Sequence, residues 1–255
     1  MDRAAATVIR MTTLTDSTRA LTDPVGDLGG RWMLDPEVLG PCRDAGYPNG
    51  FAYYVTGRGG VLGNVDADIV ASAFGFFHPA LVRKMWEAGV GVEGAANAAH
   101  RYGDACAQFG RTRVAGFTGA ARLAELAGAV AAGVDVSGLA LFAGWRTQAL
   151  PDDVEGRAAF LLHVLRELRG SVHLVAVLAT GLGVRDAVLA HGGEAQAKQF
   201  GWPAPYAEVG PESPAAAETL TDTMLAALYG AVLADDEVAE LAALVHALRA
   251  HVDKR

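Results

Sequence analysis

From Val154 to Leu182 the chain reads as one long helix, and this stretch constrains the fold more than any other. Apolar residues recur three and four apart, the spacing that gathers them on one face of a 3.6-residue period. The last part, Val172 to Leu182, is almost wholly apolar, whereas the middle carries His163, Arg166, Glu167, Arg169 and His173. A helix apolar over so much of its surface belongs in a core. The expectation is an all-α protein, a multi-helix bundle around a long central helix.

The rest of the chain agrees. Ala-rich segments with the same spacing predict helices over 36–45, 67–76, 79–88, 94–109, 116–132, 183–192, 194–200, 219–233 and 235–252. Asp66 and Asp68, and Asp235 with Asp236, stand where acidic groups meet the free N–H groups of a helix start. Pro79 suits a first turn, and Gly133 and Gly192–Gly193 suit helix ends. The best strand candidate is FAYYVT (51–56), which equally well opens a helix. GRGGVLG (57–63) does not fit the dinucleotide-binding G-x-G-x-x-G and has no βαβ unit around it, so it reads as a flexible turn between helices. No alternation of strands and helices supports a Rossmann or barrel fold.

Composition narrows the function classes. Half of the 255 residues are hydrophobic (51%), enough for a sizeable core without disulfides or metal. Two cysteines form no disulfide framework, and a cytoplasmic location is the default. The formal net charge is −8, with no basic run. Affinity for nucleic acid comes largely from Lys and Arg on phosphates, so no nucleic-acid partner is expected. No run of about 20 uncharged apolar residues predicts a membrane span, and the N-terminus has no signal-peptide core. Met11 is a candidate natural start. The predicted organisation is a flexible N-terminal segment (1–26), a helical ligand-binding body (27–200), a proline-rich linker (201–217) holding four of the ten prolines, and C-terminal helices (218–255) that pack on the body or on a partner subunit as a homodimer.

The polar residues of the long helix raise the functional question. Arg166, Arg169 and His173 fall within one narrow arc, with Leu162 and Val177 on or beside it. The stripe starts polar and ends apolar, unlike a solvated face. One reading is an ordinary surface stripe with His173 satisfied in the core. The other is a set of polar groups facing a cavity, with Gly170 and Ser171 leaving room for a ligand. Arginines there bind a carboxylate or phosphate through their planar fork, and a neutral His173 serves as a base. His163 and Glu167 pair one turn apart. Further candidates for the cavity wall are His78, Phe77, Tyr54, Arg58, Trp145, Arg146 and Gln148. Each also has a bland reading: His78 as a helix cap, and Trp145, Arg146 and Gln148 as a surfaced helix end. No CxxC, H-E-x-x-H or G-x-S-x-G is present, so no metal and no cofactor is expected.

YYVTGRGGVLGNVDADIVASAFGFFHPALVRKMW resembles the Y-x-x-GRaaPLG … F-x-F-x-P-x-LV signature of a large actinobacterial helix-turn-helix family of MarR-like winged-helix type. LRELRGSVHLVAVLATGL resembles its L-R-E-H-R-G-D-G-H-x-x-A-L motif, with Arg166, Glu167, Arg169, Gly170 and His173 matching. Leu168 replaces the motif's His, and Ser171–Val172 replaces Asp-Gly. The resemblance covers most of 30–249. In the family a Gly-Trp segment leads into a recognition helix and wing, but here Gly201–Trp202 runs into the proline-rich stretch. The resemblance therefore implies the helical body with the DNA-reading element degenerate or missing. It also implies a natural-product setting. Three functions stay open: a cofactor-independent cyclase, isomerase, lyase or hydrolase with His173, Arg169 and Glu167 as catalytic groups; a ligand sensor or sequestering self-resistance protein; and a transcriptional regulator.

Overall fold

The computed structural model describes residues 3–254, with side chains from Thr13 onward, so Met11 as a start lies outside the described side chains. Twelve α-helices form among these residues and no strand does. They are α1 (Arg3–Gly30), α2 (Pro36–Leu39), α3 (Gly50–Gly59), α4 (Ala67–Phe74), α5 (Pro79–Glu93), α6 (Ala95–Val114), α7 (Ala120–Gly133), α8 (Ala140–Trp145), α9 (Val154–Ala179), α10 (Val184–Gln199), α11 (Glu212–Gly230) and α12 (Asp235–Val252). The fold is an all-α bundle around α9, without a winged-helix sheet among the described residues.

α9 begins where the Asp153 carboxylate accepts from the Gly156 N–H at 2.7 Å. It buries Leu161, Leu162, Leu165, Leu168 and Val172 against α1, α6, α7, α8 and α11. Full burial of each such side chain is worth roughly 1.5–3 kcal/mol. α10 leaves α9 at 117° and breaks at Gly193, whose φ of 64° favours glycine, so two short helices meet there as the sequence predicts.

Three expectations change. FAYYVT is not a strand. Asn49 caps α3 by accepting from the Ala52 N–H at 2.8 Å, and Tyr53, Tyr54 and Val55 are buried as helix residues. Tertiary packing overrides their β preference. GRGGVLG is not a flexible turn either, because Gly57 to Gly60 are buried. The segment expected to be flexible up to residue 26 is α1 from Arg3 onward; residues 1 and 2 lie outside the described residues. Leu14, Thr18, Leu21 and Val25 form its buried stripe.

α1 is tied to the C-terminal helices. Pro24 lies inside it and cannot donate to the Ala20 carbonyl oxygen. His246 of α12 takes that oxygen through Nε2 at 2.9 Å. Asp27 accepts from Arg31 and pairs with Arg249 of α12 at 3.0 Å. At the other side of α1, Gly29 lets the helix touch α9, because a Cβ there would lie 2.5 Å from the Leu162 carbonyl oxygen. Leu225, Tyr229, Leu241, Val245 and Leu248 of α11 and α12 join the same apolar core as the body. The proline-rich stretch is docked as well, since Trp202 Nε1–H donates to the Phe76 carbonyl oxygen at 2.8 Å. Helix α11 already starts at Glu212, inside the stretch expected to be linker.

Candidate functional site

A cavity of about 300 Å³ opens where α9 passes α3, α4, α10, α11 and the end of α1. Arg166, Arg169 and His173, the polar members of the arc predicted on α9, line it with the small Gly170 and Ser171 and with Leu174, while Leu162 and Val177 of the same stripe do not. Tyr54 and Arg58 come from α3, and Phe77 from the turn before α5. The sequence reading missed Met33, Phe74, Phe76, Gln196, Phe200 and Glu218, all of which line it too.

The remaining candidates are elsewhere, each for a physical reason. His78 caps α5, its Nδ1 accepting from the Ala80 N–H at 3.2 Å, and its ring meets Trp202 edge-on. Trp145 is a fully buried core residue whose Nε1–H donates to the Arg58 carbonyl oxygen at 3.1 Å. Arg146 closes the end of α7, donating to the Val134 carbonyl oxygen at 2.6 Å. Gln148 Nε2–H reaches only the Gly144 carbonyl oxygen at 3.4 Å. Glu167 is buried behind the cavity wall and does not line it.

Glu167 organises that wall. Both its oxygens accept from Arg58, from Nε and Nη2 at 2.9 Å each, in a bidentate pair. Arg166 Nη1–H adds a third bond to Oε1 at 2.8 Å. Burial works to raise the Glu167 pKa, but Arg58 and then Arg166 outweigh it and hold the carboxyl down at about 2. Burial acts against the Arg58 charge too, and Glu167 more than restores it. Arg58 also donates to the Tyr54 hydroxyl at 3.1 Å and lies 4.6 Å over the Phe74 ring.

His163 is the fourth member of this buried group and is sealed from the cavity. Its ring stands edge-on to Trp145 at 4.5 Å and to Trp32 at 5.0 Å. Neither ring nitrogen has a hydrogen-bond partner, and the nearest Glu167 oxygen is 3.9 Å from Nδ1. Burial lowers its pKa to about 3, so the imidazole is neutral.

His173 differs because it faces the cavity. Its ring stacks on Phe76 at 5.5 Å. The Thr221 hydroxyl gives its single hydrogen to the Ala217 carbonyl oxygen at 2.7 Å. It therefore accepts from Nδ1–H of His173 at 2.9 Å, which leaves the lone pair on Nε2. Burial and the neighbouring Arg169 lower the His173 pKa to about 4, against the pull of Glu218. Arg169 Nη2–H donates to both Glu218 oxygens, at 2.9 and 3.1 Å, and its Nε is buried without a partner.

Among the described residues no three His, Cys, Asp or Glu side chains gather as a metal site. Cys42 and Cys106 are free, buried thiols. No single helix among those residues is long and apolar enough to cross a membrane.

A model described as a helix-turn-helix family matches residues 18–209. No curated protein and no solved structure matches the chain.

Proposed function

The chain belongs to that helix-turn-helix family, and from that premise we propose that it is a small-molecule-binding member whose ligand occupies the cavity on α9. The observation that carries this reading is the convergence of Arg58, Arg166, Arg169 and His173 with four phenylalanines and Tyr54 on one concave space. A few convergent polar groups in an aromatic-lined cavity are the usual make-up of a small-molecule site. The net charge of −8 and the lack of a sheet wing among the described residues favour a body that binds ligand without reading DNA. The motif resemblance adds the finer expectation of an actinobacterial natural-product setting. The two buried thiols suit a reducing cytoplasm.

A second reading, cofactor-independent acid/base chemistry, is favoured by His173, which lines the cavity with its Nε2 lone pair free of a donor and 3.6 Å from Glu218 Oε1. In it His173 is the base and Arg169 holds developing negative charge. Glu167 moves no proton, because it is walled off and kept ionised. A base with a pKa near 4 is weak at neutral pH, which ranks binding above turnover.

Gly170 supplies the test. It lines the cavity, and a Cβ added there meets nothing within 4 Å. Gly170→Phe is expected to fill the cavity while leaving the helix as stable or slightly more stable, by roughly 0.3–0.5 kcal/mol from propensity. Mass spectrometry of solvent extracts of purified protein should find a co-purifying compound that Gly170→Phe lacks. Equal recovery from both proteins would move the ligand elsewhere. A compound converted by wild type but not by His173→Ala would promote the catalytic reading.

A further inference from the structure

Resting on the reading of this cavity as a ligand site, we propose that its ligand is an aromatic monocarboxylate: one carboxylate on a flat apolar body.

Charge decides the headgroup. Two of the four arginines on the cavity are matched one for one. Arg31 sits in a closed set with Asp27, Asp253 and Arg249, and Arg169 pairs with Glu218. Arg58 and Arg166 have only Glu167 between them. With His173 neutral, the inner wall carries one positive charge more than it has carboxylates. A poorly solvated charge is stabilised by one counter-charge brought close. A carboxylate supplies one; a phosphate monoester, near two at neutral pH, oversupplies it.

Hydrogen bonding points the same way. The Tyr54 oxygen accepts from Arg58, and its own O–H has no acceptor among the described residues. Arg166 gives Glu167 only Nη1, leaving Nε and Nη2 free. A Cβ on Gly30 would come within 3.2 Å of that Nε, so glycine keeps the space beside the guanidinium open. These groups are donors without partners, and a carboxylate is acceptor-only. The body of the ligand then lies along rings that already pack on one another: Phe77 stacks on Phe200 at 4.0 Å, and Tyr54 meets Phe77 at a tilt, 5.8 Å away. Flat aromatic surface suits offset stacking and edge contacts of that kind.

The test is calorimetric titration of the full chain with 2-naphthoate, 2-naphthamide and 2-naphthyl phosphate. Naphthoate is expected to bind at least about tenfold more tightly than either other probe, as a charge-assisted hydrogen bond allows. Arg166→Gln should lower naphthoate affinity by about tenfold and leave the amide within about twofold. Tyr54→Phe, which keeps the ring, should give a smaller loss of the same selectivity, and it decides the matter if Arg166→Gln melts early. Amide binding equal to naphthoate would overturn the carboxylate while leaving the cavity a ligand site. Tighter phosphate binding would overturn the charge count. Silence from all three probes would overturn the aromatic acid class, and the extraction from Gly170→Phe then decides separately whether the cavity binds anything.

Discussion

Glu167 and Arg169 stand two residues apart on α9, and each pairs with an opposite charge from another helix, yet the two pairs differ in kind. Glu167 is about 1% exposed and meets Arg58 of α3 through two hydrogen bonds, with Arg166 completing a third. Arg169 and Glu218 of α11 are 25% and 46% exposed and share one nitrogen. Water compensates the second pair when it breaks; nothing compensates the first. The inner pair therefore fixes where α3 lies against α9 and holds the cavity's positive charge in place. The outer pair forms part of the rim and is exchangeable.

The largest effect should come from Glu167→Ala. It leaves Arg58 charged, buried and without its acceptor, which typically costs about 3–5 kcal/mol. Urea denaturation should show the loss as a lower midpoint. A loss below about 1 kcal/mol, the range of exposed pairs, would erase the distinction between the two pairs.

The next effect separates the two histidines from the carboxylate. His163 and His173 have folded pKa values of about 3 and about 4, below the ordinary 6.5 of the unfolded chain. The unfolded chain therefore takes up protons that the folded one refuses. Stability is whole above about pH 6.5 and falls as pH drops, by up to ~1.4 kcal/mol per pH unit for each group. Glu167, depressed from 4.5 to about 2, loses its contribution only below its unfolded value. Between pH 6.5 and 5 the slope thus belongs to the histidines. His163→Phe, in the slot between Trp32 and Trp145, should remove about half of it, as read from urea midpoints across that range. An unchanged slope would mean that His163 is not a buried neutral base.

Local patterns made the α9 half of the site legible. The arc of Arg166, Arg169 and His173 follows from helical period alone, and these three line the cavity together with the small Gly170 and Ser171, whereas Leu162 and Val177, on or beside the same arc, are buried in the core. What period cannot supply is the partner. Arg58 and Glu167 are 109 residues apart, and Glu218 reaches Arg169 across 49. Nothing local marks Phe74 or Phe200 as cavity wall. Local chemistry misled where a residue's obvious use was structural: His78 caps a helix, and Trp145 packs the core. For α1 the signal was present. Leu14, Thr18, Leu21 and Val25 keep a three-and-four spacing, but threonine and Pro24 hide it, and the helix depends on docking rather than on propensity. The motif substitutions divide between two environments, with Ser171 at the cavity and Leu168 and Val172 in the core.

The smallest effect on stability should come from Glu218→Gln. An exposed pair of this kind contributes about 0–1 kcal/mol, so the midpoint should hardly move. The cavity should nevertheless change its preference. Removing the Glu218 charge leaves Arg169 unmatched, which raises the excess from one positive charge to two. Wild type is expected to prefer 2-naphthoate over 2-naphthyl phosphate, and in Glu218→Gln that preference should shrink or reverse. The same substitution would shift nothing if Arg169 pointed away from the ligand. A large loss of stability together with an unchanged preference would show the outer pair to be structural after all, and the two pairs on α9 to be alike.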